Sequence, residues 1–87
     1  MKNIRILITD DHPMMREALQ TAIQVEPDLQ VVGEAENGVD ALLLAAELKP
    51  DVILMDLLMP DMDGLQAITR LQESQPNIHI LVVTSLE

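Results

Sequence analysis

Ile4-Arg5-Ile6-Leu7-Ile8-Thr9-Asp10-Asp11-His12-Pro13 is the stretch on which the fold turns. Its first six residues form an apolar, β-branched run too short for a helix, and predict a buried strand. Two acids and His12 stop that strand, and Pro13 suits the first turn of a helix, where a missing N–H costs nothing. Met15, Ala18, Leu19, Ala22 and Ile23 then recur at i, i+3, i+4, i+7, i+8, the pattern of an amphipathic helix, which Pro27-Asp28 closes. Outward from this strand-helix unit the pattern repeats. Residues 29–35 contain a weaker strand, Leu29-Gln30-Val31-Val32, whose Gly33 suggests an edge or a close approach. Asn37-Gly38 has the form of a hairpin turn. Val39 to Leu48, however, is rich in Leu and Ala and reads as helix, so Asn37 is its expected cap. Lys49-Pro50 ends that helix, and residues 51–55 predict a third strand running into Asp56. A loop from Leu57 to Asp63 carries Pro60, and its Asp61 and Asp63 suit turn and cap roles. Leu65, Ile68 and Leu71 line a third helix, ended by Gln75-Pro76, and residues 78–83 predict a fourth strand.

Strands alternating with single helices imply parallel pairing, right-handed crossovers and helices on both faces of a sheet. The third and fourth strands are apolar on both faces, as a doubly covered parallel sheet requires. The expected fold class is α/β, an open, doubly wound parallel sheet without internal repeat or linker.

Composition narrows the function. The 87 residues hold five Lys+Arg against fifteen Asp+Glu, a formal charge of −10. That balance argues against nucleic-acid binding by this chain, because phosphate neutralisation needs a basic surface. It argues equally against docking on an anionic membrane. No stretch approaches a spanning helix, and no apolar signal core opens the chain. The absence of Cys removes disulfides and thiolate zinc sites and fits the cytoplasm. The absence of Phe, Trp and Tyr removes stacking platforms for flavin, bases or sugars. At 48% hydrophobic, the chain is nevertheless a folded domain, built on aliphatics and six Met that fill gaps in the core.

In open parallel sheets ligands bind beyond the carboxyl ends of the strands, where strand order reverses. Those ends carry Asp10 and Asp11 after strand 1, Asp56 after strand 3, and Thr84-Ser85 after strand 4. If strands 1 and 3 are neighbours, in the flavodoxin-like order, three carboxylates converge. Two unit charges about 4 Å apart repel by roughly 4 kcal/mol at an effective dielectric of 20, so such a cluster calls for a cation. Mg²⁺ suits a site with few carboxylates because it keeps several waters. A carboxylate beside Mg²⁺ can attack a phosphoryl group to give an acyl phosphate, and a hydroxyl such as Thr84 can hold a phosphate oxygen. His12 and His79 lack partners at helical spacing and are not expected as ligands or catalysts. Glu34, Glu36 and Asp40 read as a solvated face.

At these residues the chain resembles the receiver domain of bacterial two-component response regulators. Thr9-Asp10-Asp11-His12-Pro13, the run from Gly33 to Gly38, the run from Met55 to Gly64, and Val82-Val83-Thr84-Ser85 match in order and spacing. The Asp-Asp-His-Pro start is similar to the NarL/FixJ-like subgroup, whose receivers usually precede a LuxR-type helix-turn-helix domain. The resemblance implies a flavodoxin-like sheet in the order 2-1-3-4, with residues 1–87 as the receiver's N-terminal portion. It implies that Asp56 accepts a phosphoryl group from a sensor histidine kinase. Asp11 and Asp56 would ligate Mg²⁺ directly, together with the backbone carbonyl of Leu58, while Asp10 acts mostly through water. Thr84 would be the switch hydroxyl, and Pro60 and Gly64 would shape the loop behind the site.

The family also places a Lys and an aromatic switch residue on a fifth strand, and neither Lys2 nor Lys49 takes that Lys's place. The expectation is therefore a receiver broken before its fifth strand and without its output domain, through which alone DNA would be bound. Strand 4 would then be an apolar edge, open to pairing with a second copy. Three other classes compare poorly. A phosphohydrolase resembling the haloacid dehalogenase superfamily needs Asp-x-Asp and room for a cap. A Rossmann site needs Gly-x-Gly-x-x-Gly after strand 1. A non-catalytic interaction module is favoured only by the missing strand.

Overall fold

The structure, a computed structural model, describes residues 3–56 and 64–83. In chain order it contains β1 (Ile4–Thr9), α1 (Pro13–Gln24), β2 (Leu29–Ala35), α2 (Gly38–Leu48), β3 (Val52–Met55), α3 (Gly64–Ser74) and β4 (His79–Val82). All four strands are parallel and lie in the order β2-β1-β3-β4. The doubly wound flavodoxin-like sheet expected from the sequence is the sheet that forms.

β1 is central because its apolar residues serve both faces, as the two-residue period of a strand dictates. Leu7 joins Ala35, Ala41, Ala45, Ile53, Met55, Ala67 and Leu71 beneath α2 and α3. Ile6 and Ile8 join Leu54 on the other face, where Leu19 and Ile23 of α1 pack. Alanines at 41, 45 and 67, all fully buried, let α2 and α3 settle close to the sheet and to each other.

Local chemistry sets the element ends. The Asn37 side-chain oxygen accepts the Asp40 N–H at 2.8 Å, which caps α2 as expected. Lys49 ends the same helix with a left-handed φ of 49°, and its N–H donates to the Ala45 carbonyl. α1 stops at Gln24, ahead of Pro27, since the residue before a proline resists helical geometry. β2 fills the whole of residues 29–35, the span in which a strand was expected around Leu29-Gln30-Val31-Val32. A register shift between Ile6 and Leu7 leaves Val32 unmatched, and this bulge carries the strand past Gly33. Gly33 is a true close approach: a Cβ there would lie 2.8 Å from Leu48 Cδ1.

Three expectations need correction. Ala18 and Ala22 of α1 are exposed; the helix lies mainly over β2 and β1, and Met15, Leu19 and Ile23 are its half-buried apolar residues. β4 is not covered on both faces, with Leu81 58% and Val82 44% exposed, because it is an edge of the described sheet. His79 opens β4 rather than sitting within it. The Leu65 side chain, Asp61 and Asp63 lie outside the description.

Candidate functional site

Thr9 and Met55 are paired across β1 and β3, so the residues after them leave the sheet side by side. The ladder continues one step further on each strand. Asp10 N–H donates to Ala35 O at 3.1 Å, and Asp56 N–H donates to Thr9 O at 3.0 Å. Both backbones are therefore fixed before either side chain makes a contact. Asp10 is 3% exposed and Asp56 1%, while Asp11 stands at the rim. One oxygen from each of these three carboxylates and one imidazole nitrogen of His12 lie within 4.8 Å of one another. The structure thus brings together three of the sequence-predicted site residues. Leu58 and Thr84 lie outside the described residues.

The turn between β1 and α1 supplies the remaining geometry. Asp10 Oδ1 accepts the His12 backbone N–H at 2.8 Å and meets His12 Nδ1 at 2.9 Å. The same nitrogen lies 3.0 Å from Asp11 Oδ1 as an ion-pair contact. Asp10 and Asp11 consequently do not cap α1, whose N-cap is His12 without a side-chain cap bond. Arg16, one turn into α1, donates from Nη1 to the Asp10 carbonyl at 2.6 Å and sets Nε 3.3 Å from Glu34 Oε1. Its side chain is 14% exposed, so this clamp ties α1, the end of β1 and β2 together in a partly desolvated place.

His12 titrates above its ordinary 6.5. The hydrogen bond to Asp10 contributes most, followed by the charge of Asp11; desolvation opposes them, and the charges of Asp10 and Asp56 add less.

A divalent cation fits this donor set. Three carboxylates offer hard oxygen ligands, and Asp11 Oδ1 is buried with no hydrogen bond among the described residues, only the ion-pair contact with His12. An acceptor in that condition is costly in apolar surroundings and is stabilised by a cation.

Sequence reasoning missed three participants. Helical spacing gives His12 no partner, yet it folds back on Asp10 through a tight turn two residues long. Arg16 carries no motif signal, although it stands five residues after Asp11, one turn into α1. Glu34, read as a solvated acid, is Arg16's partner.

Comparison with known proteins points the same way. The profile of the response regulator receiver domain family matches residues 6–87. The response regulator protein VraR of Staphylococcus aureus is 46% identical over 82 residues, which cover 94% of this chain and 39% of VraR. The crystal structure of the response regulator domain of Thermotoga maritima CheB superposes with a TM-score of 0.93 at 41% identity, over 98% of this chain and 63% of that one. The signal receiver domain of the putative response regulator NarL from Mycobacterium tuberculosis gives 0.92 at 33% identity, over 100% and 70%. The chain thus spans about two-fifths of the length of the curated relatives it matches.

Proposed function

The chain belongs to the response regulator receiver domain family, and from that premise we propose that it is a Mg²⁺-assisted phosphoacceptor switch acting through Asp56. The observation that carries this reading is the convergence of Asp10, Asp11 and Asp56 at the carboxyl ends of neighbouring strands. An Asp56 carboxylate oxygen attacks the phosphorus of a phosphohistidine or an acyl phosphate. The P–O bond to Asp56 forms as the bond to the leaving group breaks, and the leaving group departs with the bonding pair. When bound, Mg²⁺ screens the charge of the incoming phosphoryl oxygens. Asp11 and Asp56 would hold the ion, with Asp10 acting mainly through water, and the clamp from Arg16 keeps the Asp10 backbone in register. The Leu58 carbonyl and the Thr84 hydroxyl enter as ligand and switch on the strength of the family resemblance alone.

A sensor histidine kinase is the expected phosphoryl donor, and transcription control through an attached DNA-binding domain the expected output. The cytoplasm is the expected place. Among the described residues, no helix is long and apolar enough to cross a membrane. Pairing of two copies through β4 is supported by the exposed Leu81 and Val82. Light scattering at high concentration checks the pairing, and a monomer with a cooperative melt counts against it. The central reading is tested by incubating the protein with Mg²⁺ and acetyl phosphate and measuring intact mass. One phosphoryl adduct is expected, absent in Asp56→Ala and after chelation. An adduct that survives Asp56→Ala overturns the assignment.

A further inference from the structure

Resting on the metal site proposed above, we propose that Arg16 and Glu34 are its positioning residues. Arg16 holds the peptide between Asp10 and Asp11 in the turn that lets both carboxylates face one ion, and Glu34 holds the guanidinium and balances its charge.

Successive side chains of a strand point to opposite faces. Asp10 and Asp11 are adjacent, yet an oxygen of each lies in one cluster with Asp56, within 4.8 Å. The peptide that joins them has therefore left the pleat, one residue past the end of β1 at Thr9. The Asp10 N–H is still in the ladder, on Ala35 O, so the departure begins at the Asp10 carbonyl. That carbonyl accepts a hydrogen bond from Arg16 Nη1 at 2.6 Å. Arg16 is placed for this by the first turn of α1, where its N–H donates to His12 O at 3.0 Å. Glu34 is placed by the sheet. It is in register with Ile8, whose side chain lies in the core beneath α1, and residues in register share a face. Its Oε1 sits 3.3 Å from Arg16 Nε, and the two side chains are only 14% and 35% exposed. One guanidinium thus joins the turn to β2 through two of its nitrogens, which a single ammonium does not reproduce.

Without that bond the peptide is free to turn. The arrangement that binds an ion is then populated in only a fraction of molecules, and apparent affinity falls by that fraction. Charge alone predicts the opposite sign, since removing a cation beside an acidic cluster favours the binding of another.

Calorimetry gives the Mg²⁺ affinity of the protein and of Arg16→Lys, Arg16→Gln, Glu34→Gln and the double variant of Arg16→Gln with Glu34→Gln. Intact mass after timed exposure to acetyl phosphate gives the Mg²⁺ dependence of the Asp56 adduct, and melting in chelator checks each fold. Partners that orient metal ligands typically carry about 10–100-fold of the affinity, so Arg16→Gln should bind Mg²⁺ at least roughly tenfold more weakly. Arg16→Lys should lose nearly as much although its charge and apolar stem are kept. Half-saturation of phosphorylation should rise by the same factor. The rate at saturating Mg²⁺ should stay, because an ion once bound selects the arrangement that holds it. The double variant should bind no more weakly than Arg16→Gln, since Glu34 acts only through Arg16. Tighter binding by Arg16→Gln, unchanged binding by Arg16→Lys, or a double variant restored to the unaltered affinity each overturns the proposal. So does a lower melting temperature at unchanged Mg²⁺ affinity, the mark of a role in stability alone. If the unaltered protein still binds Mg²⁺ and forms the Asp56 adduct, only the role of the pair falls. If it does neither, the proposed function falls with it.

Discussion

Thr9 separates the two halves of its strand's chemistry: apolar core below it, carboxylates above. It is 2% exposed, and its Oγ1 has no hydrogen-bond partner among the described residues. A buried hydroxyl without a partner costs roughly 1–3 kcal/mol of desolvation, whereas a methyl of similar size does not. Thr9→Val should therefore raise stability by about 1 kcal/mol, read as a higher urea midpoint at unchanged slope. A lower midpoint would show that the hydroxyl has a partner worth more than the penalty. His12 lends itself to a different measurement. Its folded pKa lies above 6.5, so the stability it contributes is complete below 6.5 and fades as pH rises through the folded value. Imidazole proton shifts followed by NMR in chelator should titrate above 6.5, and Asp10→Asn should lower the midpoint by removing the largest cause. Added Mg²⁺ should lower it as well, through repulsion of the imidazolium. These residues also mark where sequence reading stops. Asp10, Asp11 and Asp56 were legible because parallel topology puts strand ends together. The Arg16–Glu34 pair depends on how α1 lies across β2, which no local pattern encodes.

Elements were legible wherever apolar spacing and a breaking residue agreed. The tight Leu and Ala pattern of residues 39–48, opened by Asn37 and closed by Lys49-Pro50, identified α2 almost to the residue. β2 gives the weaker strand signal because its bulge at Val32 interrupts the alternation on which strand reading depends. The face of α1 was misjudged for another reason. Helical periodicity identifies an apolar stripe, but how much is buried depends on the sheet beneath, and α1 lies mainly over β1 and β2. The Asn37 cap offers the element-scale test. Its oxygen satisfies one N–H at the start of α2, and Asn37→Ala should cost about 1 kcal/mol in chemical denaturation. Asn37→Asp should keep most of that, because a carboxylate accepts the same bond and favours the positive helix end. If alanine and aspartate cost the same, the bond seen at 2.8 Å does not stabilise the helix.

At the scale of the whole molecule, fifteen acids against five bases make self-repulsion a standing cost, and part of it is concentrated where three carboxylates meet. Fold and metal site are thereby coupled in opposite senses: the cluster weakens the metal-free protein and strengthens the loaded one. Asp11→Asn separates the two effects, since Asp11 stands at the rim and its loss leaves the buried backbone ladder of Asp10 and Asp56 in place. Without divalent ions the variant should melt above the unaltered protein, because one like charge has left the cluster. With Mg²⁺ at about a hundred times its dissociation constant, the unaltered protein should gain roughly 2.7 kcal/mol, enough to reverse the order. The variant should gain little beyond what NaCl of equal ionic strength gives, because screening acts on all surface charges alike. The crossing of the two melting temperatures is the diagnostic result. If Mg²⁺ raises both equally, the ion acts on the net charge of −10 rather than at the strand ends, and the convergence of carboxylates there has no bound cation to explain it.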